Sequence, residues 1–154
     1  MAASAGITAF VDQLVALFNE RSMDLPDGVF TRHTQFLLNG VPFEAMLGRA
    51  PGDPLVLMLT RGPAGYRFTA KAVQHAVPDA VLQRGELDES TAAGEGGAQI
   101  VRGQCWLSGR TRGDDVPVEM NVDVEMRLRG GAIERVEAQL DPALVARLRA
   151  ARLR

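Results

Sequence analysis

VPVEMNVDVEMRLRGGAIERVEAQL, residues 116–140, is the stretch on which the fold of this chain turns. Its even positions from Val116 to Leu128 are Val, Val, Met, Val, Val, Met and Leu. Its odd positions from Pro117 to Arg129 are Pro, Glu, Asn, Asp, Glu, Arg and Arg. Successive side chains of a strand point to opposite faces, so this alternation predicts a long strand with one apolar and one polar face. Gly130-Gly131 turns the chain, and Ala132 to Leu140 runs back as an antiparallel partner.

Working outward toward the N-terminus, Ala98 to Gly109 reads as another strand, joined by a polar turn over Arg110 to Asp115. Asp88 to Gly97 is rich in Gly, Ser, Thr and acids and reads as an exposed loop, with a strand from Ala80 to Leu87 before it. Tyr66, Ala70, Val73 and Val77 share one helical face after Gly62-Pro63, and Pro78 ends that helix. Asp53-Pro54 is a helix-start signal, and Leu55 to Thr60 is a short helix or a buried strand. Val29 to Leu38 is a strand, Asn39-Gly40 a hairpin turn, and Val41 to Leu47 the return strand, with Pro42 marking a sheet edge. Ile7 to Arg21 is an amphipathic helix with Phe10, Val11, Leu14, Leu17 and Phe18 on its apolar side. Downstream, Asp141-Pro142 opens a last helix whose arginines Arg147, Arg149, Arg152 and Arg154 favour its C-terminal end.

The expected fold is therefore α+β, as one domain over residues 1–154. A strongly curved, mostly antiparallel sheet wraps around the N-terminal helices as a cone-shaped barrel, with a helix at the C-terminus. The composition is that of an ordinary globular chain: 46% hydrophobic, 23% charged, net charge −2. No basic field argues for nucleic acid. No apolar run approaches the length of a membrane span, and no leader pattern opens the chain, so the expected compartment is the cytoplasm. Cys105 is the only cysteine, which excludes an internal disulfide. No glycine loop, His/Glu helix motif or calcium loop is present, so no metal and no organic cofactor is expected.

Four segments carry a resemblance to a known family. They are Ala76-Val77-Pro78-Asp79-Ala80 between helix and sheet, and Trp106-Leu107-Ser108-Gly109 followed by Arg110-Thr111-Arg112-Gly113. The others are Arg127-Leu128-Arg129-Gly130-Gly131-Ala132-Ile133 and Asp141-Pro142-Ala143. Their order resembles the nuclear transport factor 2-like superfamily, and within it the SnoaL-like polyketide cyclases and ketosteroid isomerases. The resemblance implies a cone of sheet closed by helices around an apolar pocket. It also implies a histidine where this chain has Thr111 and an acid where it has Val124. Asp123 is adjacent to the acid position, but one residue along a strand is the opposite face.

Candidate site residues follow from chemistry. Tyr66 sits on an apolar helix stripe with a hydroxyl that needs a partner: it is a donor to a ligand carbonyl or oxyanion, or a core tyrosine bonded to backbone. His33 is a general acid or base at a pocket mouth, or a surface histidine. Glu44 facing inward would be a base with a raised pKa, though the alternation of Phe43, Ala45 and Leu47 turns it outward. Trp106 is core or pocket wall, and His75 projects into the cavity or bonds at its helix end. Phe18 and Met120 complete the candidate lining, and Cys105 reads as a small buried residue. The expected function is binding of an apolar ring-containing or acyl compound, with chemistry restricted to cofactor-free proton transfer of the isomerase or cyclase type. The alternative is a non-catalytic partner-binding module, a homodimer through the face carrying Glu119, Asp123 and Arg127.

Overall fold

The computed structural model describes residues 2–26, 28–46, 53–91 and 97–146. Helix α1 (Ala5–Asn19) starts at Ser4, whose hydroxyl accepts from the Ile7 N–H. Strand β1 (Phe30–Leu38) turns at Asn39-Gly40, where φ is +50° and +78°, the signature of a two-residue hairpin turn. The return strand β2 covers only Val41–Pro42 and gives way at once to a helical turn, α2 (Phe43–Met46). Expected as a strand to Leu47, this segment leaves the sheet because Pro42 has no N–H to extend the ladder. Phe43 is then buried against the rings of Phe36 and Phe68. Leu47 and the side chain of Glu44 lie outside the described residues.

Helix α3 (Pro54–Thr60) settles the ambiguous apolar run as helix, with Asp53 accepting from the Leu55 N–H as its N-cap. Helix α4 (Gly62–Ala76) follows directly. Gly62 (φ +64°) makes the junction possible: a Cβ there would stand 2.7 Å from the Thr31 carbonyl oxygen. Then come β3 (Val81–Thr91), β4 (Gln99–Arg110), β5 (Pro117–Arg129) and β6 (Ala132–Gln139). A short helix over 142–146 closes the described chain. Asp141 caps it through the Ala143 N–H, and the four C-terminal arginines lie outside the described residues. The expected loop from Asp88 is overturned as far as Thr91: these polar residues stay in β3 because β4 pairs with them, up to Thr91 opposite Gln99.

The six strands form one sheet in the order β2-β1-β6-β5-β4-β3, antiparallel throughout except for the parallel pair β1–β6. The alternation of β5 holds from Val118 onward. Val118, Val122, Met126 and Leu128 are buried, while Glu119, Asn121 and Asp123 face outward. Val116 precedes the strand and is exposed. Irregular register at Arg84/Leu87, Phe30/Gln35 and Arg127/Leu128 bends the sheet. Gly103 permits the first of these bends, because a Cβ there would meet Leu87 Cδ2 at 2.5 Å. The inner face packs on α1 and α4, and the core lies between them.

Two asparagines act as short strand partners. Asn19, at the end of α1, donates to the Leu82 carbonyl (2.9 Å) and accepts from the Leu82 N–H (2.8 Å) on the free edge of β3. Asn39 makes the same pair with Leu140 (3.0 and 2.7 Å). Ala2 bridges Asp88, and the Ala3 N–H donates to the Leu87 carbonyl (3.2 Å), covering the same β3 edge.

Candidate functional site

Between the two long helices and the inner face of the sheet lies a cavity of about 220 Å3. Its walls follow directly from periodicity. Helix α1 contributes Val11, Leu14, Val15 and Phe18, and α4 contributes Tyr66, Thr69, Ala70 and Val73. Both sets have the i, i+3, i+4, i+7 spacing of one helical face. Strand β4 contributes alternate residues Val101, Gly103, Cys105 and Leu107, and β5 contributes Val122, Val124 and Met126. Among the described lining side chains, those of Tyr66, Thr69 and Cys105 carry an O–H or S–H group.

Tyr66 is held by aromatic packing. Its ring stacks on Phe30 at 5.7 Å and 27°, and Phe30 in turn contacts Phe36 at 5.7 Å. Gly65 lets α4 lie against that cluster, since a Cβ there would sit 2.6 Å from the Phe36 ring. The Tyr66 hydroxyl is buried and has no hydrogen-bond partner among the described residues. Burial raises its pKa, so it is a neutral donor at physiological pH. The buried threonines behave differently. Thr34 donates to the Ile133 carbonyl (2.5 Å) and accepts from the Thr31 N–H (3.0 Å), and Thr60 donates to the Val56 carbonyl (2.7 Å). Within the cavity wall, Thr69 donates to the Gly65 carbonyl (2.7 Å). The Cys105 thiol is pushed up by burial, against a smaller lowering by Arg84, whose guanidinium is paired with Asp12.

The other expected site residues are spread over the surface and core. Phe18 is on the wall, buried. Met120 is on the inner face opposite Leu107 and packs against the core, outside the cavity lining. Trp106 is 37% exposed on the outer face, between Gln83 and Asn121. It cannot share the inner face with Cys105, its neighbour in the same strand. His33 is exposed and accepts from Arg32 Nε (3.1 Å), and His75 is exposed, its carbonyl accepting from Arg112 Nε (2.8 Å). Thr111 is a turn organiser, donating to Asp114 (2.6 Å) and accepting from the Val116 N–H (2.9 Å). Val124, at the other position the resemblance marks, is a cavity wall residue. Thr69 is a polar wall position that sequence reasoning passed over, and Cys105, expected as a small buried residue, is half-buried on the same wall. The signal was present: Thr69 is one turn from Tyr66, and Cys105 alternates with Leu107.

No family model matches the chain, and no curated protein matches it either. Solved structures do. Wild-type IdmH, named as a polyketide cyclase of Streptomyces antibioticus, superposes with a TM-score of 0.61 at 15% identity, over 92% of this chain and 96% of that one. TerC, co-crystallised with polyporic acid, gives 0.59 at 17% identity over 96% and 99%. A protein from Catenulispora acidiphila with a ketosteroid isomerase-like fold, in complex with trimethylamine, gives 0.54 at 10% identity over 88% and 87%. The chain has a ketosteroid isomerase-like fold. At these identities the likeness establishes architecture. Within that cone fold, the apolar cavity behind Tyr66 is the interior of the cone. Among the described residues no cluster of His, Cys, Asp and Glu forms a metal site, and no helix is long and apolar enough to cross a membrane.

Proposed function

We propose that this protein binds an apolar, ring-containing or acyl small molecule inside the cone, with Tyr66 donating a hydrogen bond to its carbonyl oxygen. One observation carries the reading: a buried phenol hydroxyl without a partner among the described residues, on a side chain that lines an otherwise apolar cavity. A buried donor left unpaired costs free energy that a ligand acceptor recovers. The small-molecule cyclases and isomerases among proteins of this fold support a ligand of that kind. Phe18 supplies apolar wall. Native mass spectrometry of the protein purified from its own host tests the proposal, the expected adduct being an apolar carbonyl compound. A charged, polar adduct, or failure of every apolar carbonyl compound to bind the purified protein, would overturn it.

A second reading, a homodimerising module, draws on Trp106. It is exposed on the outer face beside Asn121, on the face that also carries Glu119, Asp123 and Arg127. Light scattering at increasing concentration tests this, and a strictly monomeric chain would remove it.

A further inference from the structure

A groove of about 1170 Å3 crosses β3, β4, β5 and β6, from Ala2 and Ala3 at the β3 edge to Gln139 at the end of β6. Its charged lining is Glu86, Asp88, Asp123, Glu125 and Glu137 against Arg102. Asp123 and Glu125 alternate with Val124 of the cavity wall, so they take the opposite, outer face. Glu125 and Glu137 are direct cross-strand partners, and like charges directly opposite destabilise a sheet. Arg102 pairs with Glu125 (2.8 Å) and Arg135 with Glu137 (2.9 Å), yet the lining as a whole keeps an excess of carboxylates. An ionised carboxylate accepts several hydrogen bonds, so the paired acids can take further donors. The groove is therefore complementary to a cationic segment.

The chain carries such a segment. Residues 147–154 read Arg-Leu-Arg-Ala-Ala-Arg-Leu-Arg, with four arginines and no acid. They are also within reach. Gln139 lines the groove, and the chain is helical over 142–146. At about 3.6 Å per extended and about 1.5 Å per helical residue, Ala146 lies within roughly 17 Å of Gln139. Eight further residues span up to about 28 Å. A short tether of this kind holds its end at an effective concentration in the millimolar range, enough for charge pairs that are individually weak to act together.

We propose that residues 147–154 dock in the acidic groove of their own chain, with their arginine side chains on its carboxylates. The test uses the full-length chain with a nitroxide at position 154, introduced by Arg154→Cys in a Cys105→Ala background, which keeps three of the arginines. At low salt the label is expected to broaden the backbone amide signals of Asp88, Asp123 and Glu137, and to leave Arg110 at the far end of β4 sharp. Raising salt to about 1 M, where the screening length falls to about 3 Å, is expected to restore the broadened signals. Arg147→Gln, Arg149→Gln and Arg152→Gln together, in the same labelled chain, are expected to restore them at low salt. A mixture of isotope-labelled chains without nitroxide and nitroxide chains without isotope isolates contacts between copies. Broadening in that mixture would place the segment on a second copy and overturn the proposal. Signals that stay sharp at low salt, broadening centred away from the groove, or broadening that survives both salt and the Gln substitutions would overturn it too. The cavity and its ligand stand apart from each of these results.

Discussion

Replacing Tyr66 by Phe should make the unliganded protein more stable. The substitution keeps the ring and its stacking on Phe30, and removes only the hydroxyl. In most proteins that hydroxyl is bonded, and its loss costs about 1 kcal/mol. Here it is buried without a partner among the described residues, so folding strips its water and these residues give nothing back. Such a group costs about 1–3 kcal/mol. A water inside the cavity would reduce the figure, but water needs about two to four polar partners, and this lining is almost wholly apolar. The expected gain is therefore about 1 kcal/mol, which for a chain of this size moves Tm up by about 2–4 °C. Urea denaturation with calorimetry measures both. Thr34→Val provides the contrast. It removes a group with two hydrogen bonds at a fully buried site, and should cost about 1–3 kcal/mol. If Tyr66→Phe also lost about 1 kcal/mol, the hydroxyl would have a partner, and the argument for a ligand acceptor would fail.

Gly65→Ala should destabilise the fold by about 1–3 kcal/mol, since its methyl would meet the Thr60 carbonyl oxygen at 2.5 Å and the Phe36 ring at 2.6 Å. Unchanged denaturant midpoints would show that α4 has room to move. Asn19→Ala strips both partners from Leu82 on the β3 edge and should cost about 1–3 kcal/mol, with the loss of amide-exchange protection centred on Leu82. Protection lost evenly over the sheet would contradict the local role. Cys105 should alkylate slowly with iodoacetamide at neutral pH, because its raised pKa lowers the thiolate fraction. A bound cavity ligand should slow it further, and mass spectrometry of the time course checks both. The raised pKa values of Cys105 and Tyr66 also fix a sign. The native state holds their protons more tightly than the unfolded chain, so stability is complete below the ordinary thiol range and declines as pH rises through the folded values.

Most of the architecture was legible because two periodicities carried it. The period of two in β5 named its buried residues from Val118 to Leu128, and the helical period in α4 put Tyr66, Ala70 and Val73 on one face. Local signals also served where backbone geometry demanded them, as at Asn39-Gly40 and Gly130-Gly131, both with paired positive φ. Long-range pairing was not legible. Nothing local marks Asp88 to Thr91 as strand; only β4 alongside makes them so. Likewise Pro42 marks where the ladder ends, but nothing local announces the contacts of Phe43 with Phe36 and Phe68 that follow. Of the candidate site, Tyr66 and Phe18 line one cavity with Cys105, whereas His33, His75 and Trp106 have chemistry suited to a site but positions on the surface. Residue type suggests a role, and only the face it occupies determines whether the role is open to it.

The coverage of β3 has a consequence for how the protein behaves in a crowded solution. An edge strand with free N–H and C=O groups is a template onto which another chain can add a strand. Here β3 is the last strand of the sheet, and the chain shields it with its own residues: Ala2 and Ala3 beside Leu87 and Asp88, and Asn19 beside Leu82. The shield is made of a few hydrogen bonds rather than core packing. Removing residues 2 and 3 would keep the Ser4 cap of α1, yet bare the edge at Leu87 and Asp88 and turn a self-contained sheet into one able to recruit strands from its neighbours.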